Sequence, residues 1–250
     1  YRERSLGLGA MGFHSYLQSR RIPFEGIFAT GFNYKAFKHI KRHSVRATER
    51  LADERGESPD ISGSGKRNAH LLAVAPNASS SIICGGTSPS IEPYRANVYT
   101  HKTLSGSFQV KNKYLEEVLQ DKGLKKDELN VLWKDIAGKE GSVQHLDILT
   151  DEEKEVFKTA NEIDQIWIVE HASKRQEFIC QAQSVNLFFT IPTATEPQEV
   201  HDEYMQYVND VHWYGMNKLK SLYYFRTNAA RNAENVNTKV QRIRLEDTEC

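Results

Sequence analysis

Three features of this 250-residue chain carry side chains that can do chemistry: the adjacent phenols Tyr223 and Tyr224, the thiols Cys84, Cys180 and Cys250, and a charge-free run ending in serines. From Asn68 to Ile91 there is no Asp, Glu, Lys or Arg, in a chain that is 26% charged. The run passes from apolar Leu71-Leu-Ala-Val-Ala75 through Pro76 into Asn77-Ala-Ser-Ser-Ser81. A neutral turn of small hydroxyl residues offers N–H and O–H donors with little bulk. Leading into a helix N-terminus, it can cradle a phosphate without a cation. The same composition also suits a buried loop capped by its own serines. Adjacent tyrosines on a regular strand point to opposite faces, and β-structure favours tyrosine for packing alone. For the two phenols to act together, the strand needs a distortion such as a bulge.

Other chemistry falls away on inspection. Gly63-Ser-Gly-Lys-Arg67 is not a nucleotide P-loop, because Asp60 stands where the first glycine belongs and Arg67 where Ser or Thr is needed. His39 and His43 have the spacing of two metal ligands on one helix face, but Lys41 and Arg42 lie between them, so a solvated basic face is expected. Cys84 and Cys180 have no local partner to lower their pKa and read as small buried hydrophobes. Cys250 ends a polar tail and is open to thiol exchange.

The elements that must position these groups are legible from periodicity. Glycines 7, 9 and 12 within an apolar first segment imply close backbone approach. A helix is expected over 27–54, a loop over 56–65 and a short buried strand over 71–75. Thr150-Asp-Glu-Glu153 is a capping box that opens a helix expected over 151–175, and Thr195-Glu-Pro-Gln198 reads as a second box. Strand 184–191, the helix behind that second box and strand 222–226 make a βαβ unit, whose strands are parallel. An α/β layer or barrel follows.

Composition excludes several classes. The 33 basic and 33 acidic residues cancel, so no basic face for nucleic acid is expected. No run of about 18 apolar residues exists for a membrane span, and no secretory signal is visible at Tyr1-Arg-Glu-Arg4. Three scattered cysteines exclude a disulfide scaffold and fit a reducing, cytoplasmic setting. A chain opening on Tyr reads as processed or as a piece of something longer.

Taken together, several motifs are similar to the large subunit of class I ribonucleotide reductases. They are Arg4-Ser-Leu-Gly-Leu-Gly9, Ala75-Pro-Asn-Ala-Ser-Ser-Ser81 with Ser90-Ile-Glu-Pro93, Thr103-Leu-Ser-Gly-Ser107, Gln181-Ala-Gln-Ser-Val-Asn186, His212-Trp-Tyr-Gly215 and Leu222-Tyr-Tyr-Phe-Arg-Thr227. They run in the family's order over nearly the whole chain. The resemblance implies the second half of a ten-stranded α/β barrel with flanking helices over 1–234, and a polar tail over 235–250. It implies a protein that converts ribonucleoside diphosphates to deoxyribonucleoside diphosphates by a radical mechanism.

On that resemblance Pro76, Asn77, Ala78, Ser79, Ser80 and Ser81 hold the substrate diphosphate. Asn77 stands where many relatives have Thr, and the stretch to Pro93 is about one residue longer. Tyr223 and Tyr224 match the family's radical relay; a phenol can give up an electron and a proton together, which Phe cannot. Cys250 matches the first cysteine of the redox tail, recharged by thioredoxin or glutaredoxin, and its second cysteine is missing. The family's Asn-x-Cys-x-Glu radical-cysteine pattern does not occur in this sequence. Besides thioredoxin or glutaredoxin, the resemblance therefore implies as protein partners an N-terminal large-subunit portion carrying that loop and a small subunit holding the radical-generating metal centre. No cofactor is expected in this chain, which alone should not turn over. A non-catalytic nucleotide-binding or scaffold module on the same fold is the alternative.

Overall fold

The computed structural model describes residues 2–103 and 106–227, with side chains at 101–108 left aside. The expected tail at 235–250, including Cys250, lies outside the described residues, as does part of the Thr103–Ser107 motif.

The frame is a row of four parallel segments. Residues 6–8 bridge to 70–74 through Leu8 and Leu72, and Val74 bridges to Gln183. The third segment continues into β3 (Leu187–Phe189), which pairs in parallel with β4 (Phe225–Thr227), Leu187 opposite Phe225. Helices make the crossovers: α1 (Phe13–Ser19) and α2 (Ile27–Arg55) join the first two segments, and α8 (Gln198–Lys218) joins β3 to β4. The βαβ unit expected over 184–226 is present, and the family of segments is an open α/β sheet rather than a closed barrel among the described residues.

The expected close approach at the glycines is met at Gly9, where a Cβ would lie 2.8 Å from the Ala73 carbonyl oxygen. A side chain there would push the first two segments apart. Between the second and third segments the chain makes a longer excursion. It runs through α3 (Ala78–Ile83), an antiparallel hairpin of β1 (Val98–Thr103) and β2 (Gly106–Lys111), then α4 (Lys113–Asp121) and α5 (Lys126–Gly138). It returns through α6 (Asp151–Val156) and α7 (Gln165–Gln176).

Two cores result, with a smaller cluster around Phe37, Leu72 and Val74 between the sheet and α2. Phe13, Phe24, Ile168, Leu187, Phe189 and Val211 pack beneath the sheet. Leu115, Leu119, Trp133, Ile136 and Phe157 fill a separate helical lobe. The hairpin base is tied to that lobe by Asn97, whose Nδ2 donates to the carbonyls of Gly141 (3.0 Å) and Phe157 (2.8 Å). Arg175 on α7 is fully buried without a carboxylate. Its Nε donates to Gln183 Oε1 at 2.6 Å and its Nη1 to Asn33 Oδ1 at 3.1 Å, pinning α7 to the sheet and to α2. Burial pulls this guanidinium down to about 9.

Three expectations need correction. The helix foreseen over 151–175 is broken between Val156 and Gln165. Phe157 must turn into the lobe core, the Ala160 N–H goes to the Tyr94 carbonyl at 2.7 Å, and Asp164 starts a new helix by accepting from the Ile166 N–H. The second capping box does not form: α8 starts at Gln198 behind Pro197, with no side-chain cap. The first does form, with Thr150 Oγ1 accepting from the Glu153 N–H and Glu153 Oε2 accepting from the Thr150 N–H. Finally, Cys84 is exposed at the end of α3 rather than buried. Six residues of helix followed by Gly85 and Gly86 leave it at the surface.

Candidate functional site

The serine turn emerges where the second parallel segment ends. Asn77 sits in the left-handed region with φ 51° and directly precedes α3. The first N–H groups of a helix have no intrahelical acceptor, which here means those of Ala78, Ser79 and Ser80. Ala78, Ser79 and Ser80 are exposed, whereas Pro76 and Asn77 are half-buried. Ser81 is buried; its N–H goes to the Asn77 carbonyl at 3.0 Å and its hydroxyl donates to the Ala78 carbonyl at 2.7 Å. The turn is therefore neutral and outward-facing, with donors available at 78–80 and Ser81 closing it from behind.

The tyrosines enter from the other side of the third segment. In a straight parallel ladder, one residue both donates its N–H to one carbonyl and accepts from the N–H two residues further on. Opposite Asn186 that residue would be Tyr224. Instead the Val185 carbonyl accepts from the Tyr223 N–H, and the Leu187 N–H donates to the Tyr224 carbonyl, each at 2.9 Å. Two residues stand where one belongs, which is a β-bulge. Its consequence is the one that pairing of the phenols requires: the rings of Tyr223 and Tyr224 lie on the same side, 4.1 Å between centroids and inclined at 46°. The neighbouring Tyr224 phenol pushes the Tyr223 hydroxyl above its usual range. The Arg226 guanidinium lies 5.3 Å from the Tyr224 ring centre and pulls the other way on Tyr223.

The last pair between the second and third segments is Val74 with Gln183, three residues before the turn starts at Asn77 and three before Asn186, the residue facing the bulge. One segment, the third, lies between the segment that ends in the turn and the segment that carries the tyrosines. The turn itself lies at the carboxyl end of the second segment, and open α/β sheets bind ligands at the carboxyl ends of their strands. A pocket of about 270 Å³ lies elsewhere, between Arg21, Lys122, Glu152 and Phe157.

Sequence reasoning missed two residues of this region. Glu92 and Asn186, both buried, join across it: Asn186 Nδ2 donates to Glu92 Oε1, and Asn186 Oδ1 accepts from the Tyr224 N–H at 3.2 Å. Each lay inside a motif quoted for its resemblance, but nothing in their separation by 94 positions could show the contact. The remaining candidates do not converge here. Cys180 sits lower in the sheet; burial works against its thiolate, but the N–H groups of Leu71 and Leu72, 3.1 and 3.3 Å away, carry it below the usual thiol range. The rings of His39 and His43 are 4.2 Å apart on α2, and no group of three metal-ligating side chains occurs among the described residues. No described helix is long and apolar enough to cross a membrane.

Comparison with known proteins finds relatives over most of the chain. The family model "Ribonucleotide reductase, barrel domain" matches residues 1–64 and 57–225. The ribonucleoside-diphosphate reductase large subunit of Invertebrate iridescent virus 3 is 46% identical over 228 residues, covering 90% of this chain and 34% of that protein. A putative large subunit from Frog virus 3 is 46% identical over 234 residues, covering 94% of this chain and 39% of the relative. Among solved structures, the Actinobacillus ureae class Id ribonucleotide reductase alpha subunit superposes with a TM-score of 0.74 at 40% identity, over 90% of this chain and 39% of that one. The chain thus spans a little over a third of the length of these relatives.

Proposed function

The chain belongs to the ribonucleotide reductase barrel-domain family, and from that premise we propose that it forms the C-terminal part of the catalytic body of a ribonucleoside-diphosphate reductase large subunit. The observation that carries this reading is the bulge that brings the Tyr223 and Tyr224 rings together. Packing alone would leave two strand tyrosines on opposite faces.

In this reading the serine turn receives the diphosphate of a ribonucleoside diphosphate. The N–H groups at 78–80 and the hydroxyls of Ser79 and Ser80 belong to an exposed helix start, where partial positive charge favours an anion. Pro76 and Asn77 set the turn, and Ser81 braces it. The tyrosine pair passes an oxidising equivalent between its phenols. An electron and a proton leave one O–H together and arrive at the neighbouring phenoxyl oxygen, so one O–H bond breaks as the other forms. A contact of 4.1 Å between ring centres suits such a short transfer.

The equivalent would come from a small subunit with its own metal centre. The ribose-attacking cysteine would come from an N-terminal large-subunit portion, since no Asn-x-Cys-x-Glu pattern occurs in this sequence. Cys250, with thioredoxin or glutaredoxin, would serve re-reduction.

The test is turnover of the assembled reductase, with the N-terminal portion and small subunit present. Tyr224→Phe is expected to abolish ribonucleotide reduction while leaving substrate affinity unchanged; retained turnover would reject the relay. Ser80→Asp is expected to weaken diphosphate binding by charge repulsion and bulk, and unchanged affinity would move the phosphate elsewhere. An assembly that binds the nucleotide yet never turns over would favour the scaffold reading.

A further inference from the structure

We propose that Glu92 and Asn186 form a clamp that creates the tyrosine pair, making both positioning residues for radical transfer. The proposal rests on the relay reading above and adds to it the device that sets the pair's geometry.

A bulge has a cost: its extra residue loses its place in the ladder. Here the orphaned group is the Tyr224 N–H, because the Val185 carbonyl is already taken by Tyr223. A buried or half-buried N–H without an acceptor is destabilising, so a straight ladder would win unless something else accepts it. Asn186 supplies that acceptor through Oδ1. An amide can present oxygen or nitrogen with nearly equal ease, and the wrong face would set N–H against N–H. Glu92 decides the matter. Its carboxylate only accepts, so it takes the Asn186 Nδ2–H and leaves Oδ1 aimed at Tyr224.

The clamp is held from both sides. Glu92 and Asn186 are 5% and 1% exposed, so water does not compete for either group. Burial holds the Glu92 carboxyl above its usual range, against the Asn186 hydrogen bond and the charges of Arg95 and Arg226, which favour its ionised form. Arg226 also lies against the Tyr224 ring. A chain of contacts thus runs from Glu92 through Asn186 to the Tyr224 main chain, with Arg226 closing it over the ring.

The donor and acceptor can be exchanged without changing shape or net charge, and this gives the test. In the assembled reductase, Asn186→Asp sets two carboxylates against each other, and kcat should fall about a hundredfold, as for a misplaced reacting group, with KM for the ribonucleotide unchanged. Adding Glu92→Gln restores a donor–acceptor pair in reversed order. The carboxylate introduced at position 186 can still accept from the Tyr224 N–H, so the double variant should recover most of the loss. The near-ultraviolet circular dichroism of the paired phenols should collapse in the single variant and return in the double one.

Wild-type turnover in Asn186→Asp, or no recovery in the double variant at an unchanged melting temperature, would overturn the clamp. Tyr224→Phe run alongside separates the two ideas. If it still turns over, the relay itself fails. If it is dead while Asn186→Asp is fully active, only the clamp fails.

Discussion

The helical lobe and the parallel sheet treat apolar surface in opposite ways. In the lobe, α4, α5 and α6 close around Trp133, Leu115, Leu119 and Ile136, all at most 1% exposed. Its borders are finished with caps, a capping box and the Asn97 bonds. The sheet has one finished face, beneath which α7 and α8 pack. Its margins are open: Leu6 and Leu8 on the first segment and Tyr223, Tyr224 and Phe225 on the last stay about half exposed. Among the described residues, each outer segment is paired on one side only. Open edges with apolar side chains are a template for another chain. The lobe therefore closes over its apolar surface, and the sheet leaves part of its own open at the margins.

The lobe should be the less forgiving of the two. Trp133→Ala would leave a ring-sized cavity and cost about 3–5 kcal/mol, seen as a large fall in melting temperature; a small fall would mean that the lobe collapses around the gap and is less tightly built than the packing implies.

Acid should discriminate in the other direction. The core beneath the sheet holds two neutral histidines, His14 pushed down to about 3 and His171 to about 4, both by burial. Unfolded, each would titrate near 6.5. The unfolded chain therefore binds more protons between those values. The stability these two contribute is complete above about pH 6.5 and drains away as pH falls towards 4 for His171 and towards 3 for His14, by about 1.4 kcal/mol per pH unit for each. Protonating His171 would also place a charge at Nδ1, which is buried with no acceptor. Hydrogen exchange at pH 5 should then show α1 and α7 opening before α4 and α5. Simultaneous opening would mean that the two cores melt as one.

Thr150→Ala should cost about 1 kcal/mol by removing a helix cap, with the loss confined to α6 in hydrogen exchange. Leu8→Lys, at the open margin, should change the unfolding free energy by less than about 0.5 kcal/mol. It should nevertheless reduce self-association in sedimentation, as a charge on an exposed edge does. A large stability loss there would show that Leu8 is already covered.

The same contrast explains which parts were legible beforehand. The βαβ unit from 184 to 226 could be read because its apolar alternation and helical spacing are local patterns. So could the Thr150 box, where cap and partner are three residues apart. The 195–198 box matched the pattern but failed, because the chain enters α8 through Pro197 in extended geometry. The break between α6 and α7 was invisible because its causes are remote: the Tyr94 carbonyl that takes the Ala160 N–H, and a lobe core that claims Phe157. Cys84 looked apolar by its neighbours Ile82 and Ile83, yet a helix of six residues at the surface leaves both it and Ile83 exposed.

What the order of residues settles is the set of side chains on offer: a neutral serine turn, two adjacent phenols, and the alternation that makes parallel strands around a helix. These depend on residues within a few positions of each other, whose geometry is set by local sterics and hydrogen bonding. That the phenols face each other is a property of the folded chain. It needs an orphaned N–H at Tyr224 to meet an amide oxygen from Asn186, itself aimed by a carboxylate from a distant stretch of chain. Hydrogen bonds act over about 3 Å, so groups far apart in the chain are coupled only once folding has brought them together.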